Sequence, residues 1–397
     1  MMRHKAEILF FVPELPALDN SILHAQVLSV AAFLNQEGFS CKFAGAETSS
    51  SRAREAMDLI AHEYHVPAWV VPTLTADAGA YQWWLACRKV YRYVRSELRA
   101  SVITHVYARS FIGSMWARML ARKIGALSIF DVRGVLGWEQ QLKQKSNMTA
   151  RVCSYLELRE SRLADRLSTV SENLRVYLRQ ETGRPDITVI PSCFNEESFH
   201  FDAAAREEIR QSLKLANNDI LLCYSGGTSA WQRLDDIIEL LRGVCERNAR
   251  CRALFLSSNQ DEVNRRLGKL QFPQGRAFVR GCSHKEVHRF LSAADVGIIM
   301  RHDVPVNNVA SPVKVAEYLA CGLPVVLTRG IGDYSEWLQG SGVGFLLDET
   351  TDAVHQVNSF IAQCDFTRQR EAAMRLAKAR LTMPANLDQY QLLYAGK

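Results

Sequence analysis

The sequence predicts an α/β protein made of two Rossmann-like domains facing each other across a cleft. Three observations predict it. Apolar runs of strand length alternate with segments of helical period along the 397 residues. The chain opens with a strand, a loop, a helix and a second strand, the start of a doubly wound sheet. The series then restarts beyond Pro191, so one βα set follows another. The length suits two large domains. With 48% hydrophobic and 23% charged residues, the composition is that of a soluble globular chain and excludes disordered, collagen-like and disulfide-scaffold proteins. The expected organisation is 1–190, 191–366 and a C-terminal helical segment over 367–397.

The first run, AEILFFV over 6–12, reads as a buried parallel strand. The loop PELPALDNS follows. Asn20 or Ser21 is placed to cap a helix through Asn35, in which Leu23, Val27, Val30, Ala31 and Leu34 keep helical spacing. Gly38 ends it and SCKFAGA forms the second strand. Further strands are expected at 68–72, 102–108, 127–132, 167–171 and 187–191, with helices between them, notably 81–99 and 112–124. In the second half, LLCYSGG (221–227) is a strand ending in glycines. Strands at 252–258, 277–282, 296–300, 323–328 and 344–348 alternate with helices at 234–246, near 260–268, from Ser283 and from Ser311 to Ala320. An Ala/Arg-rich helix over 367–381 precedes Pro384 and the segment NLDQYQLLY.

The net charge of +6 is uneven: residues 1–190 carry 24 Lys/Arg and 18 Asp/Glu, and residues 191–397 carry 24 of each. The window 81–130 holds nine basic residues and one acid, Glu97. In the helix 81–99, Trp84, Cys87, Tyr91, Val94 and Leu98 form an apolar stripe, and Arg88, Arg92, Arg95 and Arg99 form a basic one. A solvated face is the plain reading; a surface for anionic lipid is the functional one, worth on the order of 1 kcal/mol per basic residue. The local character of the excess speaks against nucleic acid. Ten scattered cysteines make no C-x-x-C pair or zinc spacing and read as free thiols of a reducing compartment. The apolar run after Arg3 and Lys5 is too short for a signal peptide, and none approaches a membrane span. A cytoplasmic protein, soluble or peripheral on the inner face of the membrane, is expected.

The most informative stretch is 301–337, RHDVPVNNVASPVKVAEYLACGLPVVLTRGIGDYSEW. Ser311 suits the N-cap of a helix and Pro312 its first turn. A helix N-terminus, here with the amide at Val313, presents unpaired N–H groups to a diphosphate. Lys314 and Arg301 add full charges, and Glu317 is a natural acceptor for a ribose diol. The plain alternatives are a surface pair between Lys314 and Glu317, and a pair between Arg301 and Asp303. Gly226 and Gly227 end a strand where backbone can approach phosphate, or form an ordinary turn. His284 and His288 lack a third ligand, so no metal site is read there. Asp131, Arg133 and Glu139 follow a buried strand and are expected to line the cleft as acceptor-binding groups, unless Asp131 caps its own loop.

ASPVKVAEYLACGLPVV (310–326) resembles the donor-binding signature of family-4-type glycosyltransferases with the GT-B fold. The sub-pattern S-P-x-K-x-x-E-Y-L-A-x-G-x-P, common among bacterial surface-polysaccharide members, is also met. The resemblance places Glu317 on the second Glu of the family's E-x7-E helix, which holds the nucleotide ribose. The first Glu falls on Val309. The family's R-x4-K pair falls on Gly227 and Gln232, so both charges are missing, and Arg301 and Lys314 are the expected substitutes. VIPSCFNEESF (189–199) resembles the family linker, DRLSTVSENLRVYL (165–178) the last βα unit of its first domain, and HKEVHRFLSAADVGII (284–299) the unit before the donor loop, with His284 near the nucleobase. FDVRG (130–134) stands where the family has an acceptor-side His or Asp, hence Asp131.

The resemblance implies a retaining glycosyltransferase that moves a sugar from a nucleoside diphosphate sugar to a hydroxyl of a glycan or lipid-linked acceptor, without cofactor or required metal. It also implies that the helices of 367–397 return to the first domain. Arg301, Lys314, Glu317 and Asp131 are the expected catalytic residues. The alternatives are a sugar-nucleotide epimerase on the same fold, and a degenerate nucleotide-binding subunit, which the losses at Val309, Gly227 and Gln232 suggest.

Overall fold

The computed structural model describes residues 6–18, 20–73, 80–98, 102–142 and 146–396, without the side chains of Ser21, Ala80, Ala230 and His284. The chain forms two compact units, Met1–Pro191 with Asn386–Lys397, and Ser192–Ala385.

Unit 1 holds β1 (Glu7–Pro16), β2 (Ser40–Glu47), β3 (Ala68–Pro72), β4 (His105–Ala108), β5 (Leu127–Val132), β6 (Arg166–Thr169) and β7 (Ile187–Val189) in the order β3-β2-β1-β4-β5-β6-β7. Unit 2 holds β8 (Ile220–Ser225), β9 (Cys251–Leu256), β10 (Ala277–Arg280), β11 (Val296–Ile299), β12 (Val325–Leu327) and β13 (Gly344–Leu346) in the order β10-β9-β8-β11-β12-β13. All these strand pairs are parallel. Helices cover the sheets, so the central strands are continuous apolar runs; Ile8–Val12 and Ile220–Tyr224 are buried throughout. Strand order reverses between β1 and β4 in unit 1, and between β8 and β11 in unit 2. At such a switch point, successive connections leave in opposite directions and open a crevice at the carboxyl ends of the strands.

β1 runs four residues beyond the expected end. Pro13 has no N–H for the ladder, so the register with β2 shifts between Val12 and Pro16, and pairing resumes at Ala46. Asn20 caps the next helix, its Oδ1 accepting from the Leu23 N–H at 2.9 Å. The chain then makes a π turn over His24–Leu28 before α-helix Ser29–Gln36, and the Ser29 hydroxyl donates to the His24 carbonyl at 2.9 Å. All ten cysteines are unpaired thiols. No helix among the described residues is long and apolar enough to cross a membrane.

The expectation that all of 367–397 returns to the first domain is corrected. Helix Phe366–Arg380 stays in unit 2, where Ala373 and Ala377 are buried in the core shared with helix Val313–Ala320. Arg370 approaches Asp295 at 3.7 Å, beside stronger pairs from Arg206 and Arg210. Only the chain from Asn386 belongs to unit 1. There Tyr394 packs edge-on against His105, and His105 Nε2 lies 3.3 Å from the Ala395 carbonyl.

The basic window is also redistributed. Arg118 is buried and makes a bidentate pair with Glu160, both bonds 3.0 Å. Arg88 is half-buried over the Trp84 ring. In helix Ala80–Glu97, Cys87 and Val94 are buried with Leu98, and Trp84 and Tyr91 pack on the same core, as the apolar stripe predicts. Of the basic stripe, Arg92 and Arg95 are exposed, and Arg99 lies outside the described residues.

Candidate functional site

In unit 2 the switch point is built around Tyr318. Its phenol accepts from the Ser225 N–H at 2.7 Å and donates to the Ile298 carbonyl at 3.3 Å, so it bridges β8 and β11 where they part. Gly297 makes room for the ring: a Cβ there would lie 2.6 Å from it. The tyrosine thereby fixes helix Val313–Ala320 against the sheet, with Gly322 (φ 78°) ending that helix.

Arg301 follows β11 directly. Its N–H donates to the Thr328 hydroxyl at 2.9 Å, across the end of β12. Its Nη1 donates to Gln232 Oε1 at 2.5 Å and to the Trp231 carbonyl at 2.9 Å. No carboxylate among the described residues pairs with it, and Asp303 instead accepts from Asn308. Burial lowers the Arg301 pKa from its ordinary value, an effect the nearby Tyr224 and Tyr318 oppose. Arg233 differs: it donates to the Arg301 carbonyl, but its charge is taken by Asp236 and Glu349, both at 2.6 Å.

The glycine turn joins this cluster. The Tyr224 hydroxyl donates to the Gly227 carbonyl at 2.6 Å and lies 3.5 Å from Gln232 Oε1. Gly226 is required by packing, since a Cβ would lie 2.6 Å from that hydroxyl, whereas around Gly227 the space is open. Gly226, Gly227 and Arg301 are thus connected through Tyr224 and Gln232.

Lys314 Nζ donates to Glu317 Oε2 at 2.7 Å. Glu317 is 2% exposed, while the Lys314 side chain is 29% exposed. No donor among the described residues reaches Glu317 Oε1. The expected cap at Ser311 is corrected: the helix begins at Val313, with Pro312 in extended conformation as its N-cap. The Ser311 hydroxyl is used elsewhere, accepting from the Ser192 N–H at 3.1 Å. Val313 is therefore the first helical residue, and its end of the helix has no side-chain cap. The loop at His284 starts a short 3-10 turn through a capping box between Ser283 and Glu286; the His284 side chain lies outside the described residues.

In unit 1, Asp131 is 4% exposed on β5 and accepts three bonds: from Tyr107 at 2.6 Å, Ser168 at 2.9 Å and Arg133 at 3.1 Å. Burial alone would raise its pKa, but Arg133, Arg109 and these bonds outweigh burial and lower it. The expectation that Asp131 contacts the acceptor or takes its proton is corrected: it is an ionised internal anchor that orients Tyr107 and Arg133. Glu139 lies in helix Leu136–Leu142, and its Oε1 would be 2.8 Å from a Cβ on Gly134. The switch point lies instead between β1 and β4, where the sequence reading singled out nothing. Glu14, near the end of β1, is buried, and burial raises its pKa against the opposing pull of Ser110 and the Arg109 charge. Arg109, just past β4, donates from Nη2 to Gln26 at 2.9 Å and has a buried, unpartnered Nη1. Their signal in sequence is only position after an apolar strand.

Residues 205–378 match the family model described as glycosyl transferases group 1. Unit 2 carries a group 1 glycosyl transferase domain. A search of curated proteins finds no significant match. Among solved structures, sucrose-phosphate synthase from Thermosynechococcus elongatus is 15% identical, with 98% of each chain covered and a TM-score of 0.77. Anabaena HepE in complex with UDP and glucose is 16% identical, covering 98% of this chain and 99% of that one, at 0.70. WaaG, a glycosyltransferase involved in lipopolysaccharide biosynthesis, is 12% identical, covering 98% and 100%, at 0.67. These likenesses establish the fold as GT-B over the whole chain. With the group 1 domain containing Arg301, Lys314 and Glu317, the chain is a glycosyltransferase.

Proposed function

We propose that the chain moves a sugar, with retention of anomeric configuration, from a nucleoside diphosphate sugar to a hydroxyl of a glycan or lipid-linked acceptor in cell-surface polysaccharide synthesis. The observation that carries the donor side is Arg301, a buried cation held by two neutral acceptors and left without a counter-charge at the switch point of unit 2. A dianionic diphosphate supplies that counter-charge. As the bond to the sugar breaks, negative charge grows on the leaving diphosphate, and a fixed cation favours that stage over the ground state. Lys314 adds a second cation in the first turn of a helix without a side-chain cap, whose N–H groups favour phosphate oxygens. Glu317 Oε1 remains available to accept from a ribose hydroxyl while Lys314 holds Oε2. Gly227 leaves backbone open to the same ligand. These residues supply positive charge for the leaving group directly, so the reading requires neither metal nor cofactor.

On the acceptor side, Arg133, held by Asp131, is the group offered to the acceptor, with Glu139 nearby in sequence. A cytoplasmic site of action, with anionic membrane contact through the exposed basic residues of 81–98, belongs to the same reading. The similarity to HepE, seen with UDP and glucose, and to WaaG supports a nucleotide sugar and a surface-glycan role.

The test is a thermal-shift panel of nucleoside diphosphates followed by radiolabelled donor turnover with and without membrane extract. A bound nucleotide at 100 times its Kd is expected to stabilise by about 2.7 kcal/mol. Sugar incorporation only in the presence of extract supports transfer. Conversion of the nucleotide sugar without acceptor would make the protein an epimerase, and binding without turnover a degenerate subunit.

A further inference from the structure

Helix Asn147–Leu163 of unit 1 turns a distinctive face to solvent. Its exposed side chains include Met148, Arg151, Val152, Tyr155, Arg159 and Arg162. Counted from Met148 the others fall three, four, seven, eleven and fourteen residues on, which is helical period, and so form one stripe along the helix. Met148 is 69% exposed, Tyr155 64% and Val152 47%. The two glutamates of the helix are turned inward. Glu157 accepts from the Leu136 N–H, and Glu160 takes the bidentate pair from Arg118. Arg159 also reaches Glu160 but keeps 48% of its side chain exposed. Every exposed charge on this helix is therefore an arginine, interleaved with large apolar groups.

The same chemistry continues across the layer. Helix Phe111–Ile124 packs beside this one, contains no acidic residue, and exposes Met119, Arg122 and Lys123. On its other side it meets helix Ala80–Glu97, where Arg92, Arg95 and Lys123 line one groove.

We propose that this three-helix face docks on an anionic phospholipid surface, with Met148, Val152 and Tyr155 entering the headgroup–acyl boundary. Apolar side chains there leave water, while neighbouring arginines stay at the depth of lipid phosphates. Tyrosine suits that boundary because its ring is apolar and its hydroxyl wet. A second copy of the chain is disfavoured, since a two-fold contact would set arginine stripe against arginine stripe. The proposal deepens the reading of a lipid-linked acceptor. It is tested without donor or transfer, so its failure and that of the glycosyltransferase reading are separate events.

The experiment is co-sedimentation of the full chain with phosphatidylcholine vesicles, with and without phosphatidylglycerol. Binding is expected only with phosphatidylglycerol and is expected to weaken with added salt. Val152→Asp/Tyr155→Asp is expected to lose binding by more than about tenfold, and Arg151→Glu and Arg162→Glu by at least about fivefold each. These positions are exposed, and an unchanged melting temperature shows that the fold is kept. Absence of binding to anionic vesicles overturns the proposal. So does wild-type binding by the Val152/Tyr155 variant, or a change in oligomeric state by that variant with vesicle binding intact.

Discussion

Arg301 Nη1 lies 2.5 Å from Gln232 Oε1, and Gln232 stands where the family resemblance puts a lysine. A neutral side chain in that place orients the guanidinium without cancelling or repelling its charge. Gln232→Glu should therefore separate binding from stability. The new carboxylate pairs with Arg301, so melting temperature should hold or rise, while nucleoside diphosphate affinity should fall by about tenfold or more. Titration of the diphosphate by thermal shift measures both. Arg301→Gln should lower kcat on the order of 100-fold, the scale of one lost charge-stabilising donor.

Glu317 and Lys314 make a further pair whose ends differ in exposure. Glu317→Gln keeps the shape but weakens acceptance from a ribose hydroxyl. The Michaelis constant for donor should rise by about tenfold, with little change in melting temperature. An unchanged donor constant would return Lys314–Glu317 to a structural i,i+3 pair, worth only a few tenths of a kcal/mol on a helix surface.

Asp131 should behave as an anchor. Asp131→Asn leaves Arg133 without its carboxylate in a buried site and should cost about 3–5 kcal/mol in denaturant unfolding. Tyr107→Phe removes one bond to the same carboxylate and should cost about 1–3 kcal/mol. The Asp131 pKa is lowered in the folded state, so its contribution is present above the unfolded carboxyl value and lost only as pH falls through the folded one. No step in activity near neutral pH should trace to it.

Glu157 gives the opposite sign. Burial first, with the nearby Glu139 adding to it, raises its pKa to about 8 against the bond from the Leu136 N–H. A raised folded value means stability that is complete below the unfolded pKa and lost as pH rises through about 8. Glu157→Gln keeps an acceptor for Leu136 without the buried charge. It should melt like wild type near pH 4 and be more stable on the order of 1–3 kcal/mol above pH 8, read from melts across that range.

The strands were legible because parallel strands covered on both faces are unbroken apolar runs: LLCYS and LSIFDV end within a residue or two of β8 and β5. Helix Val313–Ala320 was legible for a similar reason, since Ser311, Lys314, Glu317 and Gly322 lie within one short stretch with helical spacing. Ser311 shows the limit of that reading. Its hydroxyl had two possible partners, the helix it precedes and the Ser192 backbone, and only the folded chain brings Ser192 within reach. Asp131 lies within β5 rather than after it, and nothing local shows that Tyr107, Ser168 and Arg133 converge on it.

The sequence by itself determined two sets of alternating strands and helices, the break near Pro191, and the closeness of Lys314 and Glu317 to a helix start, because periodicity and local spacing encode these. Tertiary structure decided which charges remain uncompensated. Arg118 and Arg301 both lie in polar, apolar-flanked segments and look alike in sequence. Folding gives Arg118 to Glu160 and leaves the Arg301 side chain, among the described residues, with Gln232 and the Trp231 carbonyl alone. Whether a cation meets a carboxylate depends on residues 42 positions away in one case and 69 in the other, and no local pattern carries that information.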